Sequence, residues 1–323
     1  MKVLSKIKMI FAATAVASVM LPTASIAADH GNHSSKGMDV PGIGSMVIMS
    51  GLKNPWDMAF TKSGDMFFTE KCDGLSVKTA SGVTKLYGMK GSKGYGAAGS
   101  DLFCEGQAGM LGVTLDPKFE SNRILYLYST SNKYHGDGCK TNFERCDGNI
   151  VMKFKVAKDL SKVSGRKDIV KDIQYKPFKS DQPFGGPGAH NGGRMAFGPD
   201  GFLYVGTGDR HRGICGQDNS LLCSVVLRID GNGKGASGNK VKGDKRIYTY
   251  GHRNVQGIAF RPSDGQAFTA EHGPWHNDEI TKLVSGGNGG WDPAQKTAGR
   301  GACPDQYCGY EPNQMEGMTP AVR

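Results

Sequence analysis

Between Gly251 and Gly257 the chain reads Gly-His-Arg-Asn-Val-Gln-Gly, which sets Arg253, Asn254 and Gln256 just ahead of the apolar run Ile258-Ala259-Phe260. The run reads as a strand and the polar residues as its entrance. The Arg253 guanidinium is a planar fork of donors that suits an anionic oxygen. Asn254 and Gln256 each add a donor and an acceptor. Three such side chains at one strand entrance fit a site for a polar, anionic small molecule. The simpler alternative for this segment alone is a glycine-bounded turn with surface polar residues.

Other segments have the same form. Ala189-His190-Asn191-Gly192-Gly193-Arg194 leads into Met195-Ala196-Phe197, and Gly106-Gln107-Ala108-Gly109 leads into Met110-Leu111-Gly112-Val113. Glu271-His272-Gly273-Pro274 precedes Asn277-Asp278-Glu279-Ile280. His190 is the candidate general base, because a neutral imidazole can take a proton near physiological pH. His252 is read as packing or hydrogen-bonding within its turn, Asp209 as organising a loop, and Asp278 and Glu279 as structural residues at a strand start.

Taken in order, from about Gly51 to Trp291, these segments resemble the quinoprotein glucose/sorbosone dehydrogenase family. The resemblance implies a soluble aldose dehydrogenase that uses pyrroloquinoline quinone (PQQ) and calcium. It places the catalytic base at His190 and puts Arg253 against the quinone carbonyls, where a fixed guanidinium stabilises developing charge. Asn254 and Gln256 then orient the cofactor, Gln107 faces substrate or cofactor, and calcium lies on the backbone carbonyls of Gly273 and Pro274, oxygen ligands suited to a hard cation. The partners implied are a sugar substrate and an external electron acceptor of unidentified type. Two features depart from the family pattern. Ala189 stands where sugar-oxidising relatives can carry an aspartate for substrate hydroxyls. The cofactor's further cationic anchors, a lysine and arginines on later blades, are not found before Arg323.

The elements that must position these residues repeat. Pro55–Phe60, Gly112–Leu115, Met195–Phe197 and Ile258–Phe260 are each followed by a turn carrying Asp with Gly or Pro, then by a second apolar run. Such turns between short apolar runs are hairpin signals, and their recurrence at blade-like spacing indicates a β-propeller. With 48 glycines and no sustained helical periodicity, the expected class is all-β: a propeller of the six-bladed quinoprotein glucose dehydrogenase type, incomplete at the C-terminus, over residues 46–323. Ser129 to Gly148 and Lys158 to Gly188 read as insertions. Gly94-Tyr95-Gly96-Ala97-Ala98-Gly99 matches a dinucleotide-binding pattern but lacks the strand and helix that the pattern requires.

Lys2, Lys6 and Lys8, the apolar run Met9 to Leu21 and the small residues Ser25-Ile26-Ala27 form the three parts of a signal peptide over residues 1–27. A flexible mature N-terminus is expected over residues 28–45, and a periplasmic or secreted location follows. No segment is long and apolar enough for a transmembrane helix. The eight cysteines, all after the cleavage site, indicate disulfides in an exported chain. Sequence proximity pairs Cys72 with Cys104, Cys139 with Cys146, Cys215 with Cys223 and Cys303 with Cys308, although 105 connectivities are open to eight cysteines. The formal charge of +10 is spread without a long basic run, so nucleic acid is not an expected partner. A non-catalytic propeller with an unfinished cofactor site is the alternative function. A lactonase-type calcium propeller would need several carboxylates converging on one metal.

Overall fold

Strands buried on both faces build this molecule. In Val225-Val226-Leu227-Arg228-Ile229, four of five residues are buried hydrophobics. Because successive side chains point to opposite faces of a strand, such a run serves two cores at once: Val225, Leu227 and Ile229 belong to one cluster and Val226 to the next.

A computed structural model describes residues 44–134, 148–176, 186–211, 213–273, 278–292 and, as backbone alone, 321–322. Residues 49–323 make one unit. Of residues 1–48 only Gly44 to Ile48 are described, and they are exposed. The expected signal peptide, most of the expected N-terminal segment, Cys139, Cys146, Cys303, Cys308 and Pro274 lie outside the described residues.

Four sheets follow in chain order. Blade 1 holds β1 (Pro55–Phe60), β2 (Met66–Glu70), β3 (Gly74–Thr79) and β4 (Gly82–Gly88), with the two-residue β5 (Ala97–Ala98) parallel to β4. Blade 2 holds β6 (Met110–Leu115), β7 (Ile124–Ser131), β8 (Gly148–Val156) and β9 (Val163–Gln174). Blade 3 holds β10 (Met195–Phe197), β11 (Leu203–Gly206), β12 (Val225–Ile229) and β13 (Ile247–Tyr250). Blade 4 holds β14 (Val255–Phe260), β15 (Ala267–Glu271), β16 (Glu279–Lys282) and β17 (Ala321–Val322). Within each blade, apart from β5, neighbours pair antiparallel in sequence order.

The blades stack face to face. Phe67, Leu75 and Val77 of blade 1 meet Val113, Leu127 and Met152 of blade 2. Tyr126 and Tyr128, on the opposite face of blade 2, pack with Leu203, Val205 and Leu227 of blade 3. Tyr204 and Val226 of blade 3 pack with Val255 and Phe260 of blade 4. The first strands touch in turn, β1 with β6, β6 with β10 and β10 with β14, so they are the innermost strands of a β-propeller with four blades among the described residues. Met58 and Phe60, on the face of blade 1 turned away from blade 2, are exposed.

The all-β propeller expectation holds, and so do the turns. Asp200 closes the first hairpin of blade 3, its carboxylate accepting from the Phe202 N–H at 3.1 Å and the Tyr204 hydroxyl at 2.9 Å. The segment from Lys158 to Gly188 needs correction. Its first part is β9, the outer strand of blade 2, whose charged residues lie at the sheet edge and hide the strand pattern. The Gly94–Gly99 stretch forms no strand-to-helix turn. Disulfides join Cys72 to Cys104 and Cys215 to Cys223, with Cα separations of 5.1 and 5.5 Å. Among the described residues no helix is long and apolar enough to cross a membrane.

Candidate active site

The loops that enter the innermost strands meet at one end of the propeller. Asn54, Gln107, His190, Arg253 and Asn254 come from the entrances to β1, β6, β10 and β14. With Trp56, Lys71, Gln256, His272 and Gly273 they line a cavity of about 500 Å³. The close approach of these loops depends on Gly208, where a Cβ would collide with the His190 carbonyl and lie 3.0 Å from Asn254 Oδ1.

His190 is buried, with a left-handed backbone at φ 51°. Its N–H donates to Gln107 Oε1 at 3.0 Å. The next residue, Asn191, anchors the loop to blade 2, its carbonyl accepting from the Tyr128 hydroxyl at 2.9 Å and its Oδ1 from Asn149 at 2.8 Å. Burial pushes the Tyr128 hydroxyl well above its ordinary range, so it stays a donor.

The His190 ring is held from both sides. Nδ1 lies 2.6 Å from Asp209 Oδ1 and Nε2 lies 2.7 Å from Nε2 of His211. Asp209, fully buried, also accepts from the His211 backbone N–H at 2.9 Å and, on Oδ2, from Trp291 Nε1 at 2.7 Å. The Trp291 and backbone groups can only donate, so the Asp209 oxygens act as acceptors and His190 Nδ1 carries a proton. Nε2 is then the nitrogen that can accept one.

Arg253 is set by blade 4. Its backbone N–H donates to Glu271 Oε1, while Oε2 of the same carboxylate lies 2.9 Å from His252 Nδ1. His252 Nε2 is 2.9 Å from Thr249 Oγ1. His252 is therefore a structural residue beneath the site. The Arg253 guanidinium lies over the Trp291 ring at 5.5 Å and donates through Nη1 to the His272 carbonyl at 3.1 Å. Its Nε is buried without a hydrogen-bond partner. Asn254 Oδ1 accepts from the Gly192 N–H at 3.0 Å, and Gln256 Oε1 lies 2.9 Å from His272 Nε2. Gly273 donates its N–H to Asp278 Oδ1 at 3.0 Å. No cluster of three or more His, Cys, Asp or Glu side chains able to hold a metal occurs among the described residues.

Beneath the cavity, Asp57 of β1 accepts from Arg194, which enters β10, and from the Val113 N–H of β6 at 3.0 Å. Arg194 Nε also donates to the Gln256 carbonyl of β14 at 3.0 Å. Burial raises the Asp57 carboxyl above its usual value despite the opposing pull of Arg194.

The structure thus brings His190, Arg253, Asn254, Gln256, Gln107 and Gly273 together. Nothing in the sequence marks His211, Trp291 or Glu271 as partners of these residues, and Asp209, in Gly206-Thr207-Gly208-Asp209, reads only as a loop residue whose polar-glycine context is the one available signal. Lys71 and Trp56, which line the cavity, carry no signal in their local sequence.

The fold and site together define a β-propeller whose inner-strand entrances bring an imidazole, His190, and a guanidinium, Arg253, to one cavity. Comparison gives the particular family. The Glucose / Sorbosone dehydrogenase family model matches residues 52–321, and the chain belongs to that family. It is 29% identical to the aldose sugar dehydrogenase YliI of Escherichia coli over 76% of this chain and 60% of that protein. It is 27% identical to the quinoprotein glucose dehydrogenase B of Acinetobacter calcoaceticus over 76% of this chain and 51% of that protein. The chain thus spans less than two thirds of the length of these relatives. Among solved structures, the PQQ-bound aldose sugar dehydrogenase of Streptomyces coelicolor aligns with a TM-score of 0.60 at 25% identity, covering 82% of this chain and 70% of that one.

Proposed function

We propose that this protein oxidises an aldose sugar at the anomeric carbon to the lactone in the periplasm, with PQQ and calcium. The observation that carries this reading is the cavity that His190 and Arg253 both line, with Asp209 buried behind the His190 ring. Its volume, about 500 Å³, lies within the usual range for small-molecule sites. The residues fit an anionic quinone: the buried Arg253 Nε lacks a partner, and Lys71 adds a second cation to the lining. The PQQ-bound relative and the quinoprotein name of another support this choice, and two disulfides suit an oxidising compartment.

Arg253 would hold the cofactor's quinone oxygens by charge-assisted hydrogen bonds, with Asn254 and Gln256 setting its orientation. When bound, PQQ supplies the hydride acceptor. His190 takes the proton of the anomeric hydroxyl at Nε2. Asp209 fixes the ring's tautomer and stabilises the imidazolium that results. Gln107 positions the His190 backbone and faces the bound molecules. Calcium on the Gly273 and Pro274 carbonyls would suit the oxygen preference of that ion.

Reconstituting the purified protein with PQQ and calcium, then following dye reduction over a panel of aldoses, tests the reading. PQQ-dependent oxidation that His190→Ala lowers about a hundredfold to ten-thousandfold is expected. PQQ binding without turnover would favour the binding-module alternative. No oxidation of any aldose would overturn the proposal.

A further inference from the structure

The contact between His190 Nε2 and His211 Nε2 lies outside the chemistry above. With the Nδ1 proton held by Asp209, the Nε2 lone pair is the one place where neutral His190 can take a proton, and the His211 ring stands 2.7 Å from it. Two N–H bonds cannot point at each other across that distance, so one proton lies between the rings. With His190 neutral, that proton belongs to His211, and His211 donates. The rings meet edge to face, with centroids 3.8 Å apart, and both side chains are buried.

The backbone enforces the arrangement. Arg210 and His211 have consecutive positive φ values of 49° and 53°, a conformation that costs a non-glycine residue stability unless the surroundings hold it. Asp209 provides the hold, since Oδ1 accepts both from the His211 N–H and from His190 Nδ1. One carboxylate oxygen therefore sets both histidines.

We propose that His211 is a positioning residue for the base: its Nε2–H occupies the His190 lone pair until a substrate hydroxyl replaces it. The two donors are alternatives, because an imidazole nitrogen offers a single lone pair. His211 thereby keeps Nε2 unprotonated and aimed, and it withdraws as substrate enters. This inference rests on the assignment of His190 as the base.

Its test uses the full chain without cofactor or sugar, so failure of the dehydrogenase reading would leave it untouched. In protein labelled with ¹⁵N-histidine, at a pH where the imidazoles are neutral, His190 should show a protonated Nδ1 and a hydrogen-bonded, unprotonated Nε2, while His211 carries its proton on Nε2. In His211→Ala the His190 Nε2 signal should move to that of a nitrogen without a donor. In His211→Gln, whose amide can donate, it should move back. Carbethoxylation of His190 by diethyl pyrocarbonate, read by peptide mass spectrometry at its limiting alkaline rate, should rise roughly tenfold in His211→Ala, the scale expected for one lost hydrogen bond. The opposite tautomer in either ring, or unchanged His190 signal and reactivity in a folded His211→Ala protein, would overturn the proposal. If His211→Ala does not fold, the wild-type tautomers and the His211→Gln spectrum decide it alone.

Discussion

Trp291 donates its indole N–H to Asp209 Oδ2 at 2.7 Å, 82 residues away in sequence. The same ring lies beneath the Arg253 guanidinium. One buried aromatic therefore supports both the carboxylate behind the His190 ring and the cation across the cavity. Trp291→Phe retains much of the ring but removes the donor. The expected loss is about 1–3 kcal/mol, the range for a buried acceptor that loses a partner, read from the midpoint of urea unfolding. A loss well below 1 kcal/mol would mean that the bond contributes little.

Arg253→Ala should weaken PQQ binding more than tenfold in an absorbance titration, because a charge-assisted hydrogen bond contributes roughly 1.5–3 kcal/mol. Arg253→Lys should recover only part of this, since an ammonium lacks the planar fork. Equal affinity in all three proteins would remove Arg253 from the cofactor site.

Gly208→Ala tests the junction of the loops. Its methyl group would press on the His190 carbonyl, and overpacking of this kind costs about 1–3 kcal/mol. Thermal unfolding should register that loss, and His190 should lose its fixed tautomer. A variant as stable as the wild type would show that the loops can separate freely.

Arg166 governs the acid limb of stability. It donates to Asp101 at 2.7 Å and to Asp168 at 2.6 Å. Burial alone would raise both carboxyls, but hydrogen bonds from Arg166, with Ser131 on Asp101 and Tyr134 on Asp168, hold both below the ordinary aspartate range. Depressed folded-state values contribute stability that is complete above the unfolded pKa, about 3.9. That contribution is lost as pH falls through the lower folded values. Arg166→Leu should cost about 3 kcal/mol at neutral pH and shift acid unfolding, followed by circular dichroism, to higher pH. An unchanged acid midpoint would refute this.

The Cys72–Cys104 bridge, spanning 32 residues, ties the loop after β2 to the turn that carries Gln107. Loop-closure entropy gives it about 4 kcal/mol, against about 2.5 kcal/mol for the eight-residue Cys215–Cys223 loop. Reduction of the first bridge should therefore lower the melting temperature more than Cys215→Ser/Cys223→Ser does. The reverse order would show that native-state packing, rather than loop length, sets their worth.

The hairpins were legible because each pairs apolar runs across a turn whose Asp, Gly or Pro leaves a local mark. Strand β9 was not, because Arg166, Lys167, Asp168, Lys171 and Asp172 make an edge strand look like a loop. The strand entrances could be read as site positions, since polar residues at an apolar boundary stand out. Asp209 could not be linked to His190, because a buried carboxylate has the same local sequence as one that closes a turn. His211 was hidden for the same reason. Its role depends on the left-handed turn at Arg210 and His211, which no glycine announces.

The tie beneath the cavity bears on how the molecule comes apart. Repeat architectures unfold piecemeal when each unit touches only its neighbours. Here Arg194 enters blade 3 yet bonds Asp57 of blade 1 and the Gln256 carbonyl of blade 4, while Asp57 also holds blade 2 through Val113. A blade that peeled away would strand a half-buried charge belonging to another. The innermost strands are thus coupled beyond nearest neighbours, and a single transition for the four blades is the outcome expected in urea unfolding.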